Sequence, residues 1–152
     1  MKQIAIMLCL SVCTITGIAQ KTNSPKPSLF SSYPSTINLS ENTIKQLFAA
    51  SEGQIIDMAF EGNFKLHGPV ISKISKYNNS LQTMVVKLPA FNNILFSISK
   101  IVENEKSTIF RGHLFNSRYA DSYELKCNAS KQYQLIKIET EQLLQPCVAK
   151  VD

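Results

Sequence analysis

The chain has 152 residues, of which 44% are hydrophobic and 18% are charged. These values exclude a disordered or fibrous chain and suit one globular domain with its own hydrophobic core. The formal net charge is +5 at pH 7, but the lysines and arginines are scattered along the sequence. Because nucleic-acid binding depends on clustered cations, nucleic acid is not an expected partner.

The N-terminal residues have the order of a secretory signal peptide. Lys2 supplies a short positive region, residues 4–15 are almost entirely apolar, and small residues end the segment at Ala19. The apolar stretch is too short to span a bilayer well. We therefore expect residues 1–19 to be removed and the mature protein to be secreted or periplasmic, without a membrane span.

Export determines how the four cysteines are interpreted. Cys9 and Cys13 belong to the signal peptide. A lipoprotein anchored at Cys13 is a second possibility, but the residue before a lipidated cysteine is normally small, and Val12 is not. Cys127 and Cys147 stay in the mature chain, and two cysteines of an exported chain most simply pair with each other. The sequence predicts a Cys127–Cys147 disulfide; a reactive thiol or half of a metal site fits this spacing less well.

The segment after the signal peptide differs in composition from the rest. Residues 20–36 are rich in Ser, Pro, Lys and Asn and predict a flexible leader, so that residues 37–152 form the single domain. Ser40 is a suitable helix N-cap, and we expect a helix of about twelve residues that ends at Gly53. The apolar positions of this helix follow the helical spacing: Ile44, Leu47 and Phe48.

Beyond Gly53 the hydrophobic pattern alternates with a period of two, which predicts about seven short strands. The expected strands are 54–60, 64–66 continued after a bend by 70–77, 81–88, 94–99, 108–115, 122–127 and 132–140. Connections of hairpin length join antiparallel neighbours, because parallel crossovers are longer. The expected fold class is α+β, mostly β: one N-terminal helix packed on an antiparallel meander, as a curled sheet or partial barrel.

The motifs of the common catalytic centres are missing from the sequence, which has no Gly-x-Ser-x-Gly, His-Glu-x-x-His or Cys-x-x-Cys pattern. We therefore expect neither a cofactor nor a metal. His67 at the expected bend, or His113 within a strand, could still serve a hydrolase as general base. Asp121 or Glu124 would then orient the ring. This hydrolase, or a barrel that binds a small apolar ligand, is the alternative function.

The segment 116–120 has the composition of a recognition loop. It combines Arg118 and Tyr119 with small polar residues, and His67 at the bend is a second candidate for a binding loop. Export, small size and missing catalytic motifs favour a non-catalytic binding module, of inhibitor or propeptide type. We expect it to act through loops or an exposed strand edge on an extracellular or periplasmic protein or glycan.

Overall fold

A computed structural model of the chain describes residues 25–104 and 107–144. Its centre is one curled, half-barrel sheet of eight antiparallel strands. The strands are β1 (Thr36–Leu39), β2 (Ile55–Ala59), β3 (Lys65–Lys76), β4 (Leu81–Leu88), β5 (Ile94–Asn104), β6 (Ser107–Phe115), β7 (Asp121–Cys127) and β8 (Tyr133–Glu139). The helices are α1 (Glu41–Ala49) and α2 (Thr140–Leu143), with 3-10 turns at Glu61–Asn63 and Pro89–Phe91.

Each strand from β2 to β7 pairs with the next strand along the chain, and β1 pairs with β8. The order across the sheet is therefore β1-β8-β7-β6-β5-β4-β3-β2. Helix α1 lies on one face, which we call the inner face, and the opposite face is the outer face. This architecture confirms the predicted fold class, a mostly β fold with a helix on an antiparallel meander. It differs in detail: the sheet has eight strands rather than about seven, β1 precedes α1, and α2 follows β8.

Helix α1 begins as the sequence predicts. The Ser40 Oγ accepts a hydrogen bond from the Thr43 N–H at 3.0 Å, which satisfies a backbone donor that the first turn leaves without a partner. The ring of Phe48 packs 5.8 Å from that of Phe110 on β6, between centroids. The buried side of the helix consists of the three predicted apolar residues: Ile44, Leu47 and Phe48.

The helix is shorter than predicted, because Ala50 is already extended at φ −67° and ψ 144°. Gly53, the predicted terminator, lies in the following turn with φ 83°. Its N–H donates to the Val70 carbonyl at 2.8 Å and so connects the turn to β3. The glycine therefore shapes the entry into β2 rather than the end of α1.

The predicted bend at residues 67–69 was wrong, since β3 runs without interruption from Lys65 to Lys76. A Cβ atom at Gly68 would collide with the carbonyl oxygen of Lys87. The glycine therefore permits close approach between β3 and the end of β4 instead of a reversal. The irregularity in β3 lies further on, where Ile71 is an extra residue between the pairs that β3 forms with β4.

The segment before β1 differs most from expectation. Residues 27–35, which we call the N-terminal strap, lie within the predicted leader, yet the side chain of Phe30 is 0% exposed. Its ring packs against the aromatic side chains of the inner face: Tyr33, Phe64, Phe91 and Tyr123. The strap is therefore part of the hydrophobic core, and the folded domain includes residues that precede Thr36.

Polar groups at the ends of β7 and β8 hold the strap in place. The buried carboxylate of Asp121 accepts hydrogen bonds from the Leu29 and Phe30 N–H groups at 2.6 and 2.9 Å, and from the Ser28 hydroxyl. Lys137 donates from its ammonium to two strap carbonyls, at 2.6 and 2.7 Å. The strap and α1 together fill the inner face of the half-barrel.

Candidate functional site

His67, one of the predicted binding residues, lies on the outer face of β3 rather than in a loop. Its Nδ1 is 3.5 Å from an Oδ1 of Asp57 on the neighbouring β2, and the two side chains are 55% and 72% exposed. Solvent screens an exposed pair of this kind, so it contributes little to stability. His67 is therefore an exposed strand residue beside a carboxylate.

The loop 116–120 is present as predicted, between β6 and β7. The Arg118 N–H donates to the Asn116 Oδ1 at 3.0 Å, and the Tyr119 hydroxyl accepts a hydrogen bond from the Asn92 amide at 2.8 Å. Two strands, β4 and β5, separate β3 from β6, and within the described residues no hydrogen bond or ion pair joins His67 to this loop. The structure therefore does not bring Arg118 and Tyr119 together with His67 in one site.

The second histidine, His113, lies on the outer face in a row of polar residues. It pairs in register with Ser97 on β5 and with Glu124 on β7. Within residues 25–104 and 107–144, no hydrogen bond joins the three side chains, and Glu124 instead forms an ion pair with Lys126 at 3.0 Å. The linked nucleophile, base and orienting acid of a hydrolase are not assembled in this row. Asp121, the other candidate acid, holds the strap.

Partial desolvation by its neighbours lowers the pKa of His113 below the usual 6.5, and the nearby Glu124 carboxylate raises it by a smaller amount. The ring is therefore uncharged at neutral pH. Because the folded protein binds this proton less readily than the unfolded chain, the His113 contribution to stability falls as the pH drops below 6.5.

A cleft opens beside His113, where β6 and β7 part. The two strands pair at only three positions, from Gly112 opposite Leu125 to Leu114 opposite Tyr123. Beyond them the strands diverge and leave a cleft of about 510 Å³. Its lining comes from both strands and from α2: Ile109, Phe110, Arg111, Gly112, His113, Glu124, Leu125, Lys126, Cys127 and Leu143.

A second opening lies at the edge of the sheet, along β3. Strand β2 pairs with the first half of β3, up to Pro69, and the turn before β2 bonds to Val70. Among the described residues, none pairs with the outer edge of the second half of β3. We call residues 71–76 the open edge.

Large apolar side chains are exposed along the open edge and at its end. Ile71, Ile74 and Tyr77 are 43%, 52% and 75% exposed. Tyr77 also has a φ of 52°, a left-handed conformation that is unfavourable for a bulky residue. Strain of this kind is commonest at functional sites, where the surrounding structure maintains it. The sequence interpretation named a strand edge as a mode of action but did not locate this one.

Comparison with family models, with curated proteins and with solved structures gave no significant match to the chain. In the part of the chain that the structure describes, no helix has the length and apolar character needed to cross a membrane. The same residues contain no cluster of three or more His, Cys, Asp or Glu side chains that could hold a metal ion.

The predicted disulfide partner Cys147 lies outside the described residues. Cys127 is exposed at the end of β7, and it lines the same cleft as Leu143. The Cys127–Cys147 disulfide therefore stays a prediction.

We expect the exported protein to have a mass two hydrogens below that of its reduced form. Without reductant, a thiol reagent should label neither Cys127 nor Cys147 in the denatured protein, and in the Cys127→Ser variant it should label Cys147. Closing this loop stabilises the fold by roughly 3 kcal/mol in the chain-entropy model. Labelling of both cysteines in the unreduced protein would exclude the disulfide.

Proposed function

We propose that the protein is a small exported, non-catalytic interaction module that binds an extended segment of a partner protein as an added strand on the open edge of β3. The observation that carries this proposal is the unequal length of β2 and β3, which leaves half of β3 with pairing on one side only. Strand addition uses backbone hydrogen bonds for affinity and alternate side chains for specificity.

The register of β3 identifies the backbone groups available to a partner. Val70 exchanges its hydrogen bonds with the turn before β2, so its N–H and C=O point away from β4. Val70 and Val86 therefore form a pair that exchanges no backbone hydrogen bonds. In an antiparallel ladder such pairs alternate with hydrogen-bonded pairs. By this alternation, Lys73 and Ser75 direct their N–H and C=O groups toward the open edge. An added strand can therefore form up to four hydrogen bonds there.

The side chains around the open edge favour an apolar partner segment. Ile71 and Ile74 lie on the outer face and would contact every second side chain of an added strand. Tyr77, at the end of the edge, offers a large ring with a polar tip, a residue type enriched among the dominant contacts of protein interfaces. Lys76 is exposed beside it and favours an acidic residue in the partner.

Lysines often protect a free sheet edge from pairing, but Lys73 is occupied elsewhere. Its ammonium donates to the Phe48 and Ala50 carbonyls at the end of α1, at 2.7 and 2.8 Å. Its side chain is thus drawn to the inner face and leaves the edge accessible. The export expected from residues 1–19 places this edge where extracellular or periplasmic proteins can reach it.

Proline at position 75 tests the proposal. It removes the edge-facing N–H of Ser75 and leaves the hydrogen bonds between β3 and β4 intact. Peptides selected from a displayed random library against the parent protein should bind the Ser75→Pro variant about tenfold more weakly, a loss of about 1.4 kcal/mol. Affinities measured by calorimetry, and amide exchange at Lys73 and Ser75 in the complex, check this result.

Ser75→Ala is the matched control, because both variants lose the hydrogen bond from the Ser75 hydroxyl to Asn79 but only proline loses the N–H. It should bind as the parent does. A variant with both His67→Ala and His113→Ala should also retain binding, since neither ring borders the open edge. Selected peptides that bind the proline variant as tightly as the alanine variant, or a selection that enriches no peptide, would overturn the proposal.

A further inference from the structure

The cleft between β6 and β7 is separate from the open edge, with β4 and β5 between β3 and β6. Its volume of about 510 Å³ lies within the range of small-molecule sites. The parting of the strands leaves the Phe110 N–H without a partner on β7, and this N–H donates instead to the Tyr133 hydroxyl at 3.2 Å. The strands can therefore separate here without leaving this buried N–H unpaired.

The charged groups of the cleft leave one cation available. Lys126 and Glu124 neutralise each other, with 3.0 Å between nitrogen and oxygen. The lowered pKa of His113 favours its uncharged form at neutral pH. Within the described residues Arg111 forms no salt bridge. Its guanidinium is therefore the positive group that the cleft offers to a ligand.

The exposed surface of the cleft is about half apolar. Ile109 and Leu143 stand beside the polar groups, and Phe110 and Leu125 flank the gap between the strands. A ligand that fills the cleft would meet the hydrocarbon of Ile109 and Leu143 and a guanidinium at one point. This combination suits a molecule with an apolar body and an anionic head.

We infer that the cleft binds a small amphipathic carboxylate, whose head pairs with the Arg111 guanidinium. A planar guanidinium can donate two parallel hydrogen bonds to a carboxylate, and such charge-assisted bonds are stronger than neutral ones. The apolar body of the ligand lies against Ile109 and Leu143, where its burial adds affinity.

Titration of the full mature protein with octanoate, followed by amide NMR, tests this inference. Octanoate should shift the amides of Ile109, His113 and Leu125 to saturation. Octanamide, which has the same length but no charge, should bind about tenfold more weakly, because it lacks the charge-assisted pair. Arg111→Gln should lower the octanoate affinity by a similar factor.

Lys87→Gln is the matched control, because it removes the same charge from an exposed residue on β4, away from the cleft. It should leave octanoate binding unchanged, as should Ser75→Pro at the open edge. Equal affinity for octanoate and octanamide, equal loss in the two Gln variants, or shifts confined to other residues would each overturn the inference. None of these results would bear on strand addition at β3.

Discussion

Replacing Phe30 by Ala is expected to destabilise the domain by about 3–5 kcal/mol. The ring is 0% exposed, and its centroid lies 4.9 Å from that of Tyr123 and 5.4 Å from that of Phe91. Truncation loses the transfer free energy of the ring and leaves a cavity bordered by aromatic rings that cannot easily collapse. Urea unfolding followed by circular dichroism measures the change in the free energy of unfolding.

Leu29→Ala is the control for this experiment, because Leu29 belongs to the same strap but is only partly buried. Leu29→Ala should lower the free energy of unfolding by about 1 kcal/mol, the typical effect of a point mutation. If Phe30→Ala destabilises no more than Leu29→Ala, the strap contributes nothing to the core. Residues 20–36 would then be the flexible leader that their composition predicts.

The strands were predictable from the sequence because they bury one face. The alternation of buried and more exposed positions is regular in the second half of β4 and the first half of β5, and Leu81–Leu88 was predicted with its observed bounds. Strand β1 was missed because four residues are too few to show a period. The strap was missed for a different reason: its Ser and Pro content resembles a linker, and the burial of Phe30 depends on distant partners such as Asp121.

The candidate sites were less predictable, because they arise from pairing between strands. Nothing local indicates that β2 stops halfway along β3 or that β6 and β7 pair at only three positions. One signal was available: Val70 and Ile71 are consecutive apolar residues, which interrupts the alternation and is typical of a β-bulge. Residue type identified His113 as chemically interesting, but only the register showed that it lies between Ser97 and Glu124.

Replacing Asp121 by Ala is expected to destabilise the domain by about 3 kcal/mol. The carboxylate is 7% exposed and accepts hydrogen bonds from the Leu29 and Phe30 N–H groups and the Ser28 hydroxyl. Alanine leaves the buried Phe30 N–H and the partly buried Leu29 N–H without an acceptor, and each unsatisfied buried group costs about 1–3 kcal/mol. Urea unfolding measures the loss in the free energy of unfolding. Faster amide exchange at Leu29 and Phe30 would assign that loss to the strap.

Asp121→Asn separates the acceptor from the charge, since its amide oxygen can still accept from the strap. It should lose less stability than Asp121→Ala and keep part of the amide protection. Equal losses in the two variants would mean that the charge, not the acceptor, holds the strap. An unchanged exchange rate at Phe30 in the alanine variant would contradict the role of Asp121 in strap docking.

The double variant Phe30→Ala with Asp121→Ala asks whether the strap docks as a unit. Phe30 contributes both its ring to the core and its N–H to the Asp121 carboxylate, so each substitution weakens the attachment that the other depends on. We expect a combined loss below the sum of the single losses, with a coupling energy of about 2 kcal/mol. Losses that add to within about 0.5 kcal/mol would indicate independent contacts. If the strap docks and detaches as a unit, the two losses must be coupled. Once one substitution has released the strap, the second substitution removes no further stabilising contact.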